Sequence, residues 1–365
     1  TMASNSTINI GNGTTITGDI VGASSGQGTV NIIGNFTSGG HFGDLSASGA
    51  SDLEQINISK GNTFTLSAGH NASATRMNIN GTVTAQGSAN ITSAVTMGSG
   101  SVLNLTNTGT GGGSTAAEVA GAIDGYAGAT GTLNVNGTWS TAGVIGATRA
   151  IAAINLDSDN DTASHTYTFA HNVNATTITL GTNDAQSSNT TLAISAAITV
   201  TGDIVSSGNA SIAGILDINE NTIFVDNIGT SSAAIERITV ITGKTATFKD
   251  SIYAGNITLE TAGTASTSAA FAFNGTANTA YTVTGKIDGQ EFGHGSITVN
   301  TGNVTFSSAI GSNMDLNTVT VADDAEMAIS NNISANGTIS VVGTLDVNAA
   351  VTLHTGGINI GENAE

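Results

Sequence analysis

The stretch Ile310-Gly311-Ser312-Asn313-Met314-Asp315-Leu316-Asn317-Thr318-Val319-Thr320-Val321 decides the fold, because its phrase occurs four times in the chain. An apolar residue and Gly come first, then a polar insert, then apolar residues in the pattern x-x-apolar-x-apolar. The other copies read Phe42-Gly43 with Leu53, Ile56 and Ile58; Ile145-Gly146 with Ile151, Ile154 and Leu156; and Ile228-Gly229 with Ile235, Ile238 and Val240. Each is answered downstream by an apolar-x-apolar pair: Met77/Ile79, Ile178/Leu180, Ile257/Leu259 and Ile339/Val341. A long internal repeat made of smaller coils points to a solenoid, in which each coil buries its apolar edge against the next.

Working outward, the segments between copies alternate with period two, as in Thr7-Ile8-Asn9-Ile10, Val30-Asn31-Ile32-Ile33, Leu133-Asn134-Val135 and Ile198-Thr199-Val200. Such alternation predicts half-buried strands. Asn-Gly-Thr at Asn12, Asn80, Asn136, Asn274 and Asn336 supplies corners whose Asn or Gly can take a positive φ. The answering pair lies 17 to 22 residues beyond the first apolar run, which is one coil of a parallel β-solenoid. On that spacing the chain makes about 18 coils, stacked at ~4.8 Å. The expected fold is therefore all-β, a parallel, right-handed β-helix, with tandem antiparallel β-sandwiches as the alternative. Asn-Gly turns also suit hairpins, which keeps that alternative open. We expect a single β-solenoid over 1–365, with approximate internal repeats at 17–120, 121–200, 201–283 and 284–365. A single short helix, Thr115 to Ile123, is expected, weakened by Gly121. The start, Thr7-Ile8-Asn9-Ile10-Gly11, is echoed by Gly357-Ile358-Asn359-Ile360-Gly361.

Composition narrows function. The 365 residues include 48 Gly, no Pro and no Cys, and only 9 % are charged, against about 25 % in average proteins. Absence of Pro suits interior strands that must all donate ladder hydrogen bonds. Lys plus Arg number 7 against 26 Asp plus Glu, for a net charge of -19. Without a basic stripe or a polybasic cluster, nucleic acid and anionic membrane are excluded as partners. No apolar run approaches the ~18 residues needed to span a bilayer. The start does not resemble a signal peptide, so an exported chain would have Thr1 as a processed or cut end. Cysteine-ligated metals and disulfides are excluded by composition.

The run of Ile-Asp-Gly at 123–125, Gly-Thr-Leu-Asn-Val-Asn-Gly-Thr at 131–138, and Val-Ile-Gly followed by Ala-Ile-Ala-Ala-Ile-Asn-Leu at 150–156 resembles repeat units of autotransporter passenger domains. It is most similar to rickettsial outer membrane protein B and related surface antigens, and Ile287 to Val321 carries the same resemblance. The resemblance implies a right-handed β-helix on a Gram-negative cell surface, acting as adhesin or surface-layer material. The membrane β-barrel of that family has no counterpart in a chain with 4 % aromatic residues. This reads as a passenger part or a smaller protein built from the same repeat.

Motifs for chemistry are few. Asp157, Asp159 and Asp161 alternate around a turn, the spacing by which a loop wraps oxygen ligands around calcium, and they form the candidate metal site. Thr162 and Thr168 occupy the EF-hand positions for Gly and Glu, so the loop is no EF-hand. Asp217/Asn219/Asn221 and Asp323/Asp324/Glu326 are weaker sets of the same kind. Gly22-Ala23-Ser24-Ser25-Gly26 matches a nucleophile elbow but leads into no helix. The six His show no metal spacing, and sparse Arg argues against a polysaccharide lyase. Trp139 and Tyr126, with Tyr253 and Tyr281, are the candidate stacking platforms for a sugar or receptor. Eighteen Asn-x-Ser/Thr triplets occur, and inward-facing Asn can instead stack as amide ladders. The expectation is a non-enzymatic extracellular structural protein of a bacterial cell surface: surface layer, fibre or adhesin rod. It requires no cofactor, with calcium as the one candidate. Its main partner is itself, as a homo-oligomer or head-to-tail filament. The alternatives are a passenger domain that binds host receptors or cell-surface glycans, and a polysaccharide-active β-helix enzyme.

Overall fold

The structure, a computed structural model, describes residues 1–43, 51–107, 116–157, 164–181, 190–207, 214–261, 268–348 and 350–361. The chain forms two compact units, Thr1–Thr190 and Thr191–Glu365. Their boundary falls inside the second expected repeat.

Each unit is a parallel β-solenoid. In the first, Ile8, Val30, Ile56, Met77, Val95, Ile123, Ile145 and Val173 stack as one ladder. Phe36, Phe64, Val83, Leu103, Leu133, Ile154 and Ile178 form a second. Ile20, Phe42, Ala72, Ile91 and Val119 form a third. The chain visits the three in turn, so each coil has three sides.

The second unit repeats the scheme. Its ladders are Leu192, Leu216, Ile238, Ile257, Ile287, Ile310, Ile333 and Leu353; Val200, Phe224, Phe248, Phe273, Val299, Val321, Val341 and Ile360; and Ile204, Ile228, Ile252, Val283, Phe306, Ile329 and Val347. Strands alternate buried and outward residues, as in Ile198–Ser206, because side chains on a pleated strand point to opposite faces in turn.

Every pairing of named strands among the described residues is parallel, which overturns the antiparallel-sandwich alternative. The answering pairs stack on their apolar runs in register: Ile56 on Met77, Ile154 on Ile178, Ile238 on Ile257, and Val319 on Ile339. The coil count needs correction. Ile8 to Val173 covers 165 residues in seven steps, and Leu192 to Leu353 covers 161 in seven, so a turn averages about 23 residues. Fourteen turns result, not 18, because the answering-pair interval, counted from the end of a run to the start of its answer, falls two residues short of the register, and other turns run to 30 residues, as from Ile257 to Ile287. The expected helix is also absent among the described residues of its segment, which begin at Ala116. Its segment contains the strand Glu118–Val119 and the start of Ile123–Gly125, each paired to the preceding coil, so ladder pairing overrides a weak helical pattern.

The repeat and the coil are out of step. Phe42 lies in the third ladder, but its counterpart Ile145 lies in the first; Ile56 lies in the first and Ile154 in the second. The second unit shows the same displacement: Ile228 is in the third ladder and Ile310 in the first. A copy holds a number of sides that is not a multiple of three. Within each unit, successive copies therefore display their surface residues on different faces.

The Gly shared by the four phrases has a stereochemical cause. Gly43, Gly146, Gly229 and Gly311 have φ between 67° and 86°, where a Cβ is strained. A Cβ there would also sit 2.0 to 2.2 Å from the carbonyl oxygen of Ser73, Asn174, Tyr253 or Ser334 on the next coil. The same two hydrogen bonds flank all four: the Gly N–H donates to Ile20, Ile123, Ile204 or Ile287 behind it, and the next coil's N–H donates to Phe42, Ile145, Ile228 or Ile310. Of the Asn-Gly-Thr glycines, only Gly13 and Gly137 use a positive φ. Gly81 and Gly337 serve instead to let a neighbouring carbonyl approach.

Candidate functional site

Strands with inward Ile and Val turn their Asn outward, and successive coils bring those amides together. Asn31 donates to Asn9, Asn57 to Asn31 and Asn78 to Asn57, each at 2.8 Å. A second row runs from Asn155 to Asn134 to Asn104, again at 2.8 Å per step. The donor is always on the later coil, so each ladder has a direction. These amides alternate with buried neighbours, which places them on the outer face rather than inside as expected.

Beside the first row, Tyr126 stands 68 % exposed. It lines an open groove of about 510 Å³ with Asn57, Asn78, Asn80, Thr96 and Arg76. Its backbone is held by hydrogen bonds from its N–H to Met97 O at 2.8 Å and from Arg149 Nη1 to its own carbonyl. Trp139 does not share this position. It is 4 % exposed and stacks in register on Tyr167, so its ring is core and presents no platform. Tyr281 is also buried, its hydroxyl accepting from Thr276 N at 2.9 Å, and Tyr253 is half-buried.

Of the calcium candidate, Asp157 is buried with φ 61°, and its Oδ2 accepts from Thr190 Oγ1 at 2.6 Å. Asp159 and Asp161 lie outside the described residues. Asp217 and Asn219 line a groove of about 330 Å³ with Arg237 and Glu260, whereas Asn221 is engaged elsewhere, accepting from Thr245 N at 2.8 Å. Asp323, Asp324 and Glu326 line another of about 420 Å³ with Asn278 and Asn303. Among the described residues no three His, Asp or Glu side chains are grouped closely enough to share a metal ion.

A Ser, a His and an Asp do meet at one place. Ser334 Oγ donates to Asp315 Oδ1 at 2.6 Å and lies 2.9 Å from His354 Nδ1, itself 3.6 Å from Asp315 Oδ2. Serine and carboxylate share the same ring nitrogen, so His354 cannot relay a proton between them as a triad requires. The serine–aspartate pair recurs without a histidine at Ser73 and Asp52, 2.6 Å apart, in the equivalent positions of the first copy. It is a clip between coils. At Gly22-Ala23-Ser24-Ser25-Gly26, the chain pairs Gly22 with Met2 and enters no helix.

The sequence reading expects copies to join head to tail through the first and last strands. Strand Leu353–Ile360 pairs on one side with Ile333–Val341 and, among the described residues, with nothing on the other. Ile358 and Ile360 are 48 % and 65 % exposed there, although they continue an inward ladder. Strand Thr7–Ile10 likewise pairs only with Thr29–Ile32, leaving Ile8 36 % exposed. The echo between 7–11 and 357–361 was the available signal. The chain matches no protein-family model, and comparison with curated proteins and with solved structures gives no match either.

Proposed function

We propose that this chain is a non-enzymatic extracellular structural protein of a bacterial cell surface, a surface-layer, fibre or adhesin element that associates with copies of itself. The observation that carries the reading is the uninterrupted stack of parallel coils that fills each unit, joined from coil to coil by rows of outward amides. Serine–aspartate clips in the first and fourth copies and directed amide ladders in the first unit join coil to coil. The resemblance of the repeats to rickettsial surface antigens supports the same reading. Sedimentation velocity across a concentration series, with electron microscopy of the same samples, tests it. Concentration-dependent assemblies are expected; a single monomeric species at every concentration, with and without calcium, refutes it.

The Tyr126 groove favours a second reading, a glycan-binding adhesin. An exposed ring flanked by Asn amides and Arg76 offers a sugar an apolar face and several hydroxyl partners. Glycan-array binding that survives Tyr126→Ala would remove this reading.

A further inference from the structure

We infer that Tyr126 and Phe292 are two stacking platforms, one in each unit, for a neutral polysaccharide. This rests on the glycan reading of the Tyr126 groove above and extends it to a second site and a ligand class.

The two rings stand on corners of one design. In the first unit Gly125 N donates to Arg149 O at 3.0 Å, Tyr126 N donates to Met97 O at 2.8 Å, and Asp124 Oδ1 accepts from Thr148 N at 2.9 Å. In the second, Gly289 N donates to Met314 O at 3.3 Å, Gln290 N donates to Leu259 O at 2.9 Å, and Asp288 Oδ1 accepts from Asn313 N at 3.0 Å. Each corner then closes at a Gly of left-handed φ, Gly131 at 85° against the Met97 side chain and Gly295 at 84° against that of Leu259.

That corner folds without an aromatic. Gly22 to Gly28 builds it a third time: Gly22 N donates to Ser51 O at 2.9 Å, Ala23 N donates to Met2 O at 2.7 Å, and Gly28 at φ 87° lies against Met2. Its loop holds only Ala23, Ser24, Ser25, Gly26 and Gln27. Elsewhere the fold hides its rings. Among 10 Phe, 4 Tyr and 1 Trp, only Tyr126 at 68 % and Phe292 at 58 % are exposed; Tyr253 is half-buried and the rest are buried. Large apolar groups left in water on corners that do not need them mark a binding surface rather than core.

The surroundings select the ligand. A ring offers its negative face to the C–H groups of a sugar, and nearby amides meet the hydroxyls. Asn57, Asn78 and Asn80 line the groove beside Tyr126. At the second corner the Asn336 amide lies beside Gly293, and Asn313 Nδ2 donates to Asp288 Oδ2 at 2.9 Å. Asp124, Asp288 and Glu291 sit on these corners in a chain of net charge -19, which disfavours an anionic ligand. One ring with a few amides holds a short sugar weakly. A polymer that engages a second platform does so at high effective concentration, which multiplies its affinity.

Native electrophoresis of the full chain through gels containing dextran, galactomannan or hydroxyethylcellulose tests this, with alginate and polygalacturonate as anionic counterparts. Retardation by at least one neutral polymer and by neither anionic one is expected; retardation by the anionic polymers alone overturns the ligand class. Tyr126→Ala and Phe292→Ala should each weaken retardation about tenfold or more, and the double variant should abolish it, with far-UV circular dichroism like that of the parent. Phe292→Tyr keeps a ring and should retain binding, and its loss there would contradict stacking. Ile223→Ala, on strand Thr222–Phe224 and 38 % exposed, should change nothing; a loss equal to that of Phe292→Ala means general adhesion and overturns the inference. If Tyr126→Ala weakens retardation and Phe292→Ala does not, the second platform is overturned and the Tyr126 reading stands. If no neutral polymer retards the parent chain, both fall.

Discussion

Replacing Gly146 by Ala tests whether these coils are held together by backbone approach or only by the torsion angle of the corner. Gly146 has φ 70°, and a Cβ there would lie 2.1 Å from Asn174 O on the next coil. Gly100 has φ 71° in the same unit, with nothing within 4 Å of an added Cβ. The torsional cost is common to both, about 1–2 kcal/mol. Only Gly146 adds a clash with backbone, which cannot rotate away. To relieve it the strands must part, stretching the bonds from Gly146 N to Ile123 O at 2.7 Å and from Asn174 N to Ile145 O at 2.8 Å. Losing one or both adds about 0.5–1.5 kcal/mol each, so Gly146→Ala should cost ~1.5–5 kcal/mol in total and Gly100→Ala ~1–2 kcal/mol. Urea unfolding followed by circular dichroism gives the ranking. Amide hydrogen exchange locates the loss, which should be greatest around 145–146 and 173–175, because a solenoid loses stability locally. Equal destabilisation by the two substitutions would refute the close-approach account.

Phe248 is stacked between Phe224 at 5.3 Å and Phe271 at 4.8 Å and is fully buried. Phe248→Ala should cost about 3–5 kcal/mol in denaturant unfolding, with Phe292→Ala on the surface close to neutral. Asn57 gives one amide bond, to Asn31, and receives one from Asn78, each at 2.8 Å, and its Oδ1 also accepts from Gln55 Nε2. Asn57→Ala should cost about 1–2 kcal/mol, more than Asn155→Ala, and an equal or smaller loss would mean that the amide row adds little stability. At net charge -19, copies repel until salt screens them. Raising ionic strength from about 0.01 to 0.15 M, which shortens the Debye length from ~30 to ~8 Å, should therefore promote association by light scattering; weakening with salt would contradict association through apolar and amide contacts.

The ladders were legible in the sequence because period-two alternation and the strict spacing of each answering pair are local facts. Ile56 on Met77 and Ile238 on Ile257 follow from the rule that equivalent residues of neighbouring coils stack. The four glycines were legible as corners for the same reason, since only Gly tolerates that φ. Trp139 was not legible as core. Its neighbours Thr138 and Ser140 look like surface, and the residue that covers it, Tyr167, lies 28 positions away. The candidate calcium loop shows the same limit, because Asp157 turns into the unit towards Thr190, which local spacing does not reveal.

What the sequence by itself determined is the repeating unit: parallel strands, glycine corners and an apolar interior, all written in short-range periodicity. Only the tertiary structure decided how many sides a copy contains, and therefore that its turn averages about 23 residues and that successive copies within a unit face different ways. It also decided that Asn rows lie outside with one direction. The physical reason is that stacking follows from what each residue is, whereas face, direction and exposure follow from the summed lengths of all the segments between.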